Sequence, residues 1–203
     1  MGVELNILNA MLASIGSSSI VTATGNNPNL QKAKPILDRK NLTVQARGHW
    51  FNTEYALPLA PNADGEFVVP QSTLRAQPSK NSDAYVRRGT RMYDPENHTY
   101  EIDEESLEVD LVIELPYDDL PQTAIDLIEA MAILEMVTNF DADSLTIKAR
   151  QQAWMVASRA LERERLSLKN VTLRDNPHFA RFMYGVHYHG AHPRSDFIGG
   201  DHG

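Results

Sequence analysis

A chain of 203 residues with 42% hydrophobic content can bury one substantial core and a smaller appended lobe. It has no cysteine, which excludes disulfides and thiolate metal sites, and its formal charge of −8 argues against coating nucleic acid over the whole surface while leaving room for a local basic patch. The opening MGVELNIL lacks the basic stretch, apolar run and cleavage site of a signal peptide, so the expectation is a soluble protein of a reducing compartment.

Residues 3 to 15 place Leu5, Leu8, Leu12 and Ile15 on one face and end at Gly16, which predicts a short amphipathic helix. A stretch rich in Ser, Thr, Asn and Gly follows. Asn27 then reads as an N-cap, with Pro28 at the first helical position of a helix running to Arg47 and stopping at Gly48. Leu30, Ala33, Leu37 and Val44 face inward. Pro35 predicts either a kink or a later start near Ala33, because a proline inside a helix removes a hydrogen bond and costs ~3 kcal/mol.

From His49 the period becomes alternating. Phe51, Tyr55, Leu57 and Leu59 predict a strand, with short strands after it at Glu66–Val69, Thr73–Ala76 and Ala84–Arg88. Arg87 to Arg91 reads as a hairpin tip turned by Gly89. Leu107, Val109, Leu111, Ile113 and Leu115 alternate with polar residues in the clearest strand, which Pro116 closes. Between Asp119 and Phe140 the chain is apolar around most of a helical circumference, the mark of a helix covered on several sides. Asp119 is its expected N-cap. Asp143 caps a last helix to about Lys169, whose expected inward face holds Ala149, Ala153, Trp154, Val156, Ala157, Ala160, Leu161 and Leu168.

The fold class these elements predict is α+β: a helical bundle of about four helices, an inserted antiparallel β domain and an extended C-terminal arm. The expected divisions are 1–48 and 117–170 for the bundle, 49–116 for the β domain and 171–203 for the arm. Glycines and prolines exclude a long helix in that arm, yet Phe179, Phe182, Met183, Tyr184, Tyr188 and Phe197 are too apolar for a solvated tail. Burial on another chain accounts for both facts; folding back on its own domain is the alternative.

Candidate chemistry is sparse. His187, His189, His192 and His202 could ligate zinc or nickel, but an interaction arm is the better reading of a Gly-rich end, so no metal or other cofactor is expected. Arg87, Arg88 and Arg91 between Tyr85 and Tyr93 could touch phosphate while a ring stacks on a base, or line a solvated hairpin. The run Glu101 to Asp119, including Glu104 and Glu105, carries many carboxylates and no base; facing a channel it would repel DNA. Asp126 with Glu129 could form the carboxylate pair of a glycosidase, a weak signal given how common such pairs are. No nucleotide-binding, HExxH or G-x-S-x-G pattern is present.

The segments LNILNAMLASIG and AKPILDRKNLTVQARGHWFNTE, joined by a polar linker, resemble the tail tubular protein A family of short-tailed bacteriophages. Leu12, Ser14, Ile15, Gly16, Arg47, Gly48, Trp50, Phe51 and Asn52 carry the match. Ser17 to Ser19 and His49 depart from the usual pattern. The resemblance implies a structural virion protein of the tail or neck, assembled in the host cytoplasm. It implies a head-to-tail adaptor that forms a ring, usually of twelve copies, between the portal protein and a tail nozzle similar to tail tubular protein B. DNA would pass through the bore without sequence-specific binding, and no membrane is involved. The aromatic arm is then the expected contact with portal or a neighbouring subunit. Arg159, Glu162, Arg163 and Arg165, with Glu104 and Glu105, are the expected complementary faces of the ring. Arg87, Arg88 and Arg91 are the expected hairpin toward DNA or nozzle. A virion-associated hydrolase acting on cell-wall or capsular polysaccharide is the alternative expectation.

Overall fold

The computed structural model describes residues 2–80, 84–140 and 142–174, with side chains up to Leu168. Among them it is an α+β structure of four helices, a three-stranded and a two-stranded antiparallel sheet. The chain divides into two compact units, 1–163 and 164–203. Of the second, the described part is the end of the last helix, where Leu166 and Leu168 are exposed and Ser167 Oγ donates to the Glu164 carbonyl at 2.8 Å.

The first helix, α1 (Val3–Ser14), buries Ile7, Leu8, Met11 and Leu12. The polar stretch after it is tied back to α1 through Asn9, which accepts from the Ile20 N–H at 2.7 Å and donates to the Ile20 carbonyl at 3.0 Å. Helix α2 (Pro28–Gln45) starts as expected: Asn27 Oδ1 accepts from the N–H groups of Asn29 and Leu30 at 2.9 and 3.3 Å. It runs through Pro35 as one helix, with Ala33, Ile36 and Leu37 buried on both sides of it, so packing outweighs the local cost. It ends at Gln45, two residues before the expected Arg47.

The β section comprises β1 (Thr53–Leu59), β2 (Thr73–Pro78), β3 (Val86–Arg88), β4 (Arg91–Tyr93) and β5 (Leu107–Ile113). Strand β5 lies between β1 and β2, antiparallel to both. Its alternation has the expected sense: Leu107, Val109 and Leu111 enter a core shared with Phe67, Met92 and Ile102. Strands β3 and β4 form the expected hairpin, and Gly89 at its tip has φ +64°. Residues 66–69 form isolated bridges and not a full strand, Val68 opposite Arg91 of β4 and Glu66 opposite Glu101: Val69 N–H donates to the Thr90 carbonyl at 2.9 Å, and Met92 N–H to that of Phe67 at 3.0 Å. The expected alternation fails in β1. Ala56 has φ +50°, the register against β5 shifts between Glu54 and Leu57, and Tyr55 is turned outward at 74% exposure.

Helix α3 (Gln122–Asn139) buries Ala124, Ile125, Leu127, Ile128, Ala132, Ile133, Met136 and Val137, which makes it the central helix of the bundle. Asp119 is not its N-cap. It lies in a 3-10 turn, Tyr117–Asp119, and Pro121 takes the cap position without a side-chain bond. Helix α4 (Ser144–Arg174) is capped by Asp143, whose Oδ1 accepts from Leu145 and Thr146 N–H at 2.9 and 3.0 Å. Residues 171–174, expected to begin the arm, are therefore helical.

The expected inward face of α4 is mostly open. Leu161 is buried at 4% exposure and Ala157 is half-buried, but Ala149, Ala153, Trp154, Val156 and Leu168 are exposed. Helices α1 and α2 already cover the large side chains of α3. The alanines of α4 then offer too little apolar area to draw the whole helix down, since the gain scales with area removed from water.

The bundle and the β section meet where α2 ends. Gly48 has φ +76°, and a Cβ there would stand 2.7 Å from Arg75 Nη2 and 2.9 Å from Val112 Cγ2. Asn52, buried at 1% exposure, accepts from His49 N–H at 2.8 Å. Its Nδ2 donates to the carbonyls of Gln45 and Ile113 at 3.0 and 2.9 Å. Trp50 and Phe51 pack on the bundle core beside them.

Candidate interaction surfaces

The hairpin arginines are largely committed within the chain. The Arg88 guanidinium lies 3.5 Å from the Tyr93 ring centroid and Arg91 lies 3.9 Å from that of Tyr100. Arg91 Nη1 also pairs with Glu66 Oε1 at 2.6 Å, and Arg87 Nε donates to the Gly89 carbonyl at 2.7 Å. Tyr93 is buried, so its ring is occupied by arginine and is not an open platform for a base.

The acidic run is partly structural. Asp110 accepts from Ser79 Oγ at 2.6 Å and from Ala56 N–H at 2.9 Å, and these bonds hold its carboxyl below the usual range. Glu108 pairs with Lys80 at 2.9 Å. Glu104 and Glu105 are exposed just before β5, while Arg159, Glu162 and Arg163 are exposed on α4. Arg165, half-buried, belongs to the second unit. The aromatic set from Phe179 to Phe197 and the four terminal histidines lie outside the described residues.

A groove runs between α3 and α4, with a cavity of about 440 Å³. Ala130 and Ile133 form one wall; Ala153, Val156, Ala157 and Ala160 form the other. Asp126, Glu129 and Arg150 are its polar groups. Burial, then the charge of Asp126, pushes the Glu129 carboxyl above its ordinary value. Asp126 Oδ1 accepts from Gln122 Nε2 at 2.7 Å. The two carboxylates stand side by side on one helix, three residues apart, whereas a glycosidase pair flanks the scissile bond.

A smaller hollow of about 200 Å³ on the other flank of α4 is lined by Lys40, Met131, Leu134, Glu135 and Trp154. Glu135 there joins α3 to α2 through Arg39 and Lys40. Burial pulls the Glu135 carboxyl up, but the Lys40 hydrogen bond and the charges of Lys40 and Arg39 outweigh it, leaving the carboxyl below its ordinary value. The sequence signal for these open flanks is the run of alanines on α4, which reads as close packing when only the period is considered.

Among the described residues no group of His, Asp and Glu side chains could hold a metal ion, and no helix is long and apolar enough to cross a membrane.

Two comparisons bear on these surfaces. The family model described as tail tubular protein matches residues 5–172, which takes in the bundle, the β section and nearly all of α4. The tail tubular protein A of Klebsiella phage KP34 is 25% identical over 185 residues, covering 89% of this chain and 98% of that protein. The match over residues 5–172 establishes that the chain belongs to the tail tubular protein family, structural tail proteins of bacteriophages and components of the virion.

Proposed function

We infer that this protein is a head-to-tail adaptor, one copy of a ring of about twelve that docks beneath the portal protein and above a nozzle similar to tail tubular protein B. The observation that carries the reading is the match to the tail tubular family along residues 5–172. The open flanks of α4 support it, because a ring closed by rotation requires two different adhesive faces on each subunit. Val156 is 65% exposed and Leu145 76%, a cost in water that contact with other chains removes.

In this reading DNA passes along the bore without sequence-specific contacts. The exposed Glu104 and Glu105 and the net charge of −8 keep a polyanion from adhering, and Arg91 of the hairpin is already paired with Glu66. Arg159, Glu162 and Arg163 on α4, with Arg165, suit a ring contact, and the aromatic arm suits a contact with portal or a neighbour.

The test is mass in solution and negative-stain imaging of the purified protein, alone and with portal. A ring seated on portal is the expected result. A chain that stays monomeric and never binds portal overturns the reading.

A further inference from the structure

We propose that the groove between α3 and α4 receives the aromatic segment 176–195 of a neighbouring copy of this chain. The inference rests on the adaptor reading and names the contact that would close its ring.

The groove lacks what a packed helix pair has. Its walls are built from Ala130, Ala153, Ala157 and Ala160, which leave a cavity of about 440 Å³ that their own side chains do not fill. Val156, at 65% exposure, stands on its rim. The site thus has the volume and the apolar lining for rings, together with two carboxylates, Asp126 and Glu129, against one cation, Arg150.

The proposed occupant matches on both counts. Residues 176–195 bring Phe179, Phe182, Met183, Tyr184 and Tyr188 within a short length of chain. The same segment carries Arg181 and Arg194, with His178, His187, His189 and His192, and contains no Asp or Glu. A cationic aromatic segment is the complement of an apolar groove in which Asp126 and Glu129 outnumber Arg150. Twenty extended residues reach roughly 66 Å, ample to cross to the next subunit. A donor segment and an acceptor groove on different parts of one chain make a heterologous interface, the kind that closes into a ring. Docking on its own subunit would use up both halves and leave nothing to propagate.

The chain has no native cysteine, so single cysteines report contacts cleanly. Tagged Val156→Cys and untagged Phe182→Cys proteins are mixed, assembled with portal and oxidised. A tagged-to-untagged disulfide is expected at least ten-fold above that formed when exposed Glu105→Cys replaces Val156→Cys. Yields equal to that control overturn the proposal, as does a Val156→Cys/Phe182→Cys double variant that closes its disulfide only within one chain. A separate Val156→Asp variant is expected to keep its melting temperature and lose ten-fold or more in ring yield; unchanged ring yield counts against the groove. If wild-type rings form on portal but the mixed cysteine variants assemble with no cross-link above the control, this inference fails and the adaptor reading stands. If the wild-type chain never joins portal, the adaptor reading fails and takes the inference with it.

Discussion

Gln45, at the last position of α2, holds both backbone polar groups of Leu115: its Oε1 accepts from the Leu115 N–H at 2.8 Å, and its Nε2 donates to the Leu115 carbonyl at 3.0 Å. Leu115 lies just beyond β5, where the chain leaves the β section for α3. One fully buried side chain therefore fastens the exit of the β insertion to the helix that preceded its entry. The same Nε2 donates to Asn41 Oδ1 at 2.9 Å. Gln45→Leu keeps the volume but strands a backbone N–H, a carbonyl and the Asn41 oxygen. It should cost about 3 kcal/mol or more in urea unfolding, since each of the three groups left unpaired costs ~1–3 kcal/mol, toward the low end for the part-buried Leu115 pair.

Gly48 and Asn52 complete that joint, and both stand in the segment that carries the family resemblance. At Gly48 a side chain meets Arg75 and Val112 and must also take φ +76°. Gly48→Ala should destabilise by about 1–3 kcal/mol. Asn52→Asp should be worse, because it replaces the donor to the Gln45 and Ile113 carbonyls with an acceptor. Thermal melts of the two variants check the order. If Asn52→Asp melts at the wild-type temperature, the joint does not depend on those two bonds.

The helices and β5 were legible because their patterns last several turns or several alternations and their ends carry local chemistry. Asn27 and Asp143 cap as they read, and Gly89 turns the hairpin. What escaped the pattern depends on geometry that no local signal encodes. Tyr55 points outward because Ala56 interrupts β1, and Asp119 is drawn into a 3-10 turn, so the cap position falls to Pro121. The α4 groove escaped for a different reason. Periodicity shows which residues share a face, whereas α1 and α2 decide whether any of α3 is left to meet that face.

Glu135 gives the bundle a dependence on pH. Its carboxyl is held below its ordinary 4.5 in the folded chain by Lys40 and Arg39. Stability from this group is therefore fully present above pH 4.5 and lost as pH falls through the folded value. Glu135→Gln should cost ~1 kcal/mol at pH 7 and show a smaller loss of stability than wild type on acidification below pH 4.5. Denaturant midpoints measured from pH 7 to pH 3 test the sign. A variant whose acid sensitivity equals that of wild type would show the shift to be inconsequential.

Asp126 and Glu129 supply the sharpest check on turnover. Both lie on one wall of the groove, and the raised Glu129 carboxyl resembles a general acid without an opposing partner. Purified protein is expected to leave cell-wall and capsular-polysaccharide zymograms blank. Clearing that disappears in Asp126→Asn or Glu129→Gln would establish a hydrolase in that groove.

Leu161 and Val156 lie five residues apart on α4 and should separate folding from assembly. Leu161 is 4% exposed and is the one large α4 side chain among the described residues that joins the buried bundle core. Leu161→Ala removes that anchor, and a buried Leu→Ala change costs ~2–5 kcal/mol. Val156 is 65% exposed, so Val156→Ser should stay within about 0.5 kcal/mol of wild type in the isolated protein. If the open flank is meant for other chains, the order reverses when assembly is read instead of stability. Val156→Ser should then lower ring yield on portal at a temperature where it remains fully folded. Leu161→Ala should lower it only in proportion to the fraction unfolded, and equal behaviour of the two variants in both measurements would remove α4 as an assembly surface.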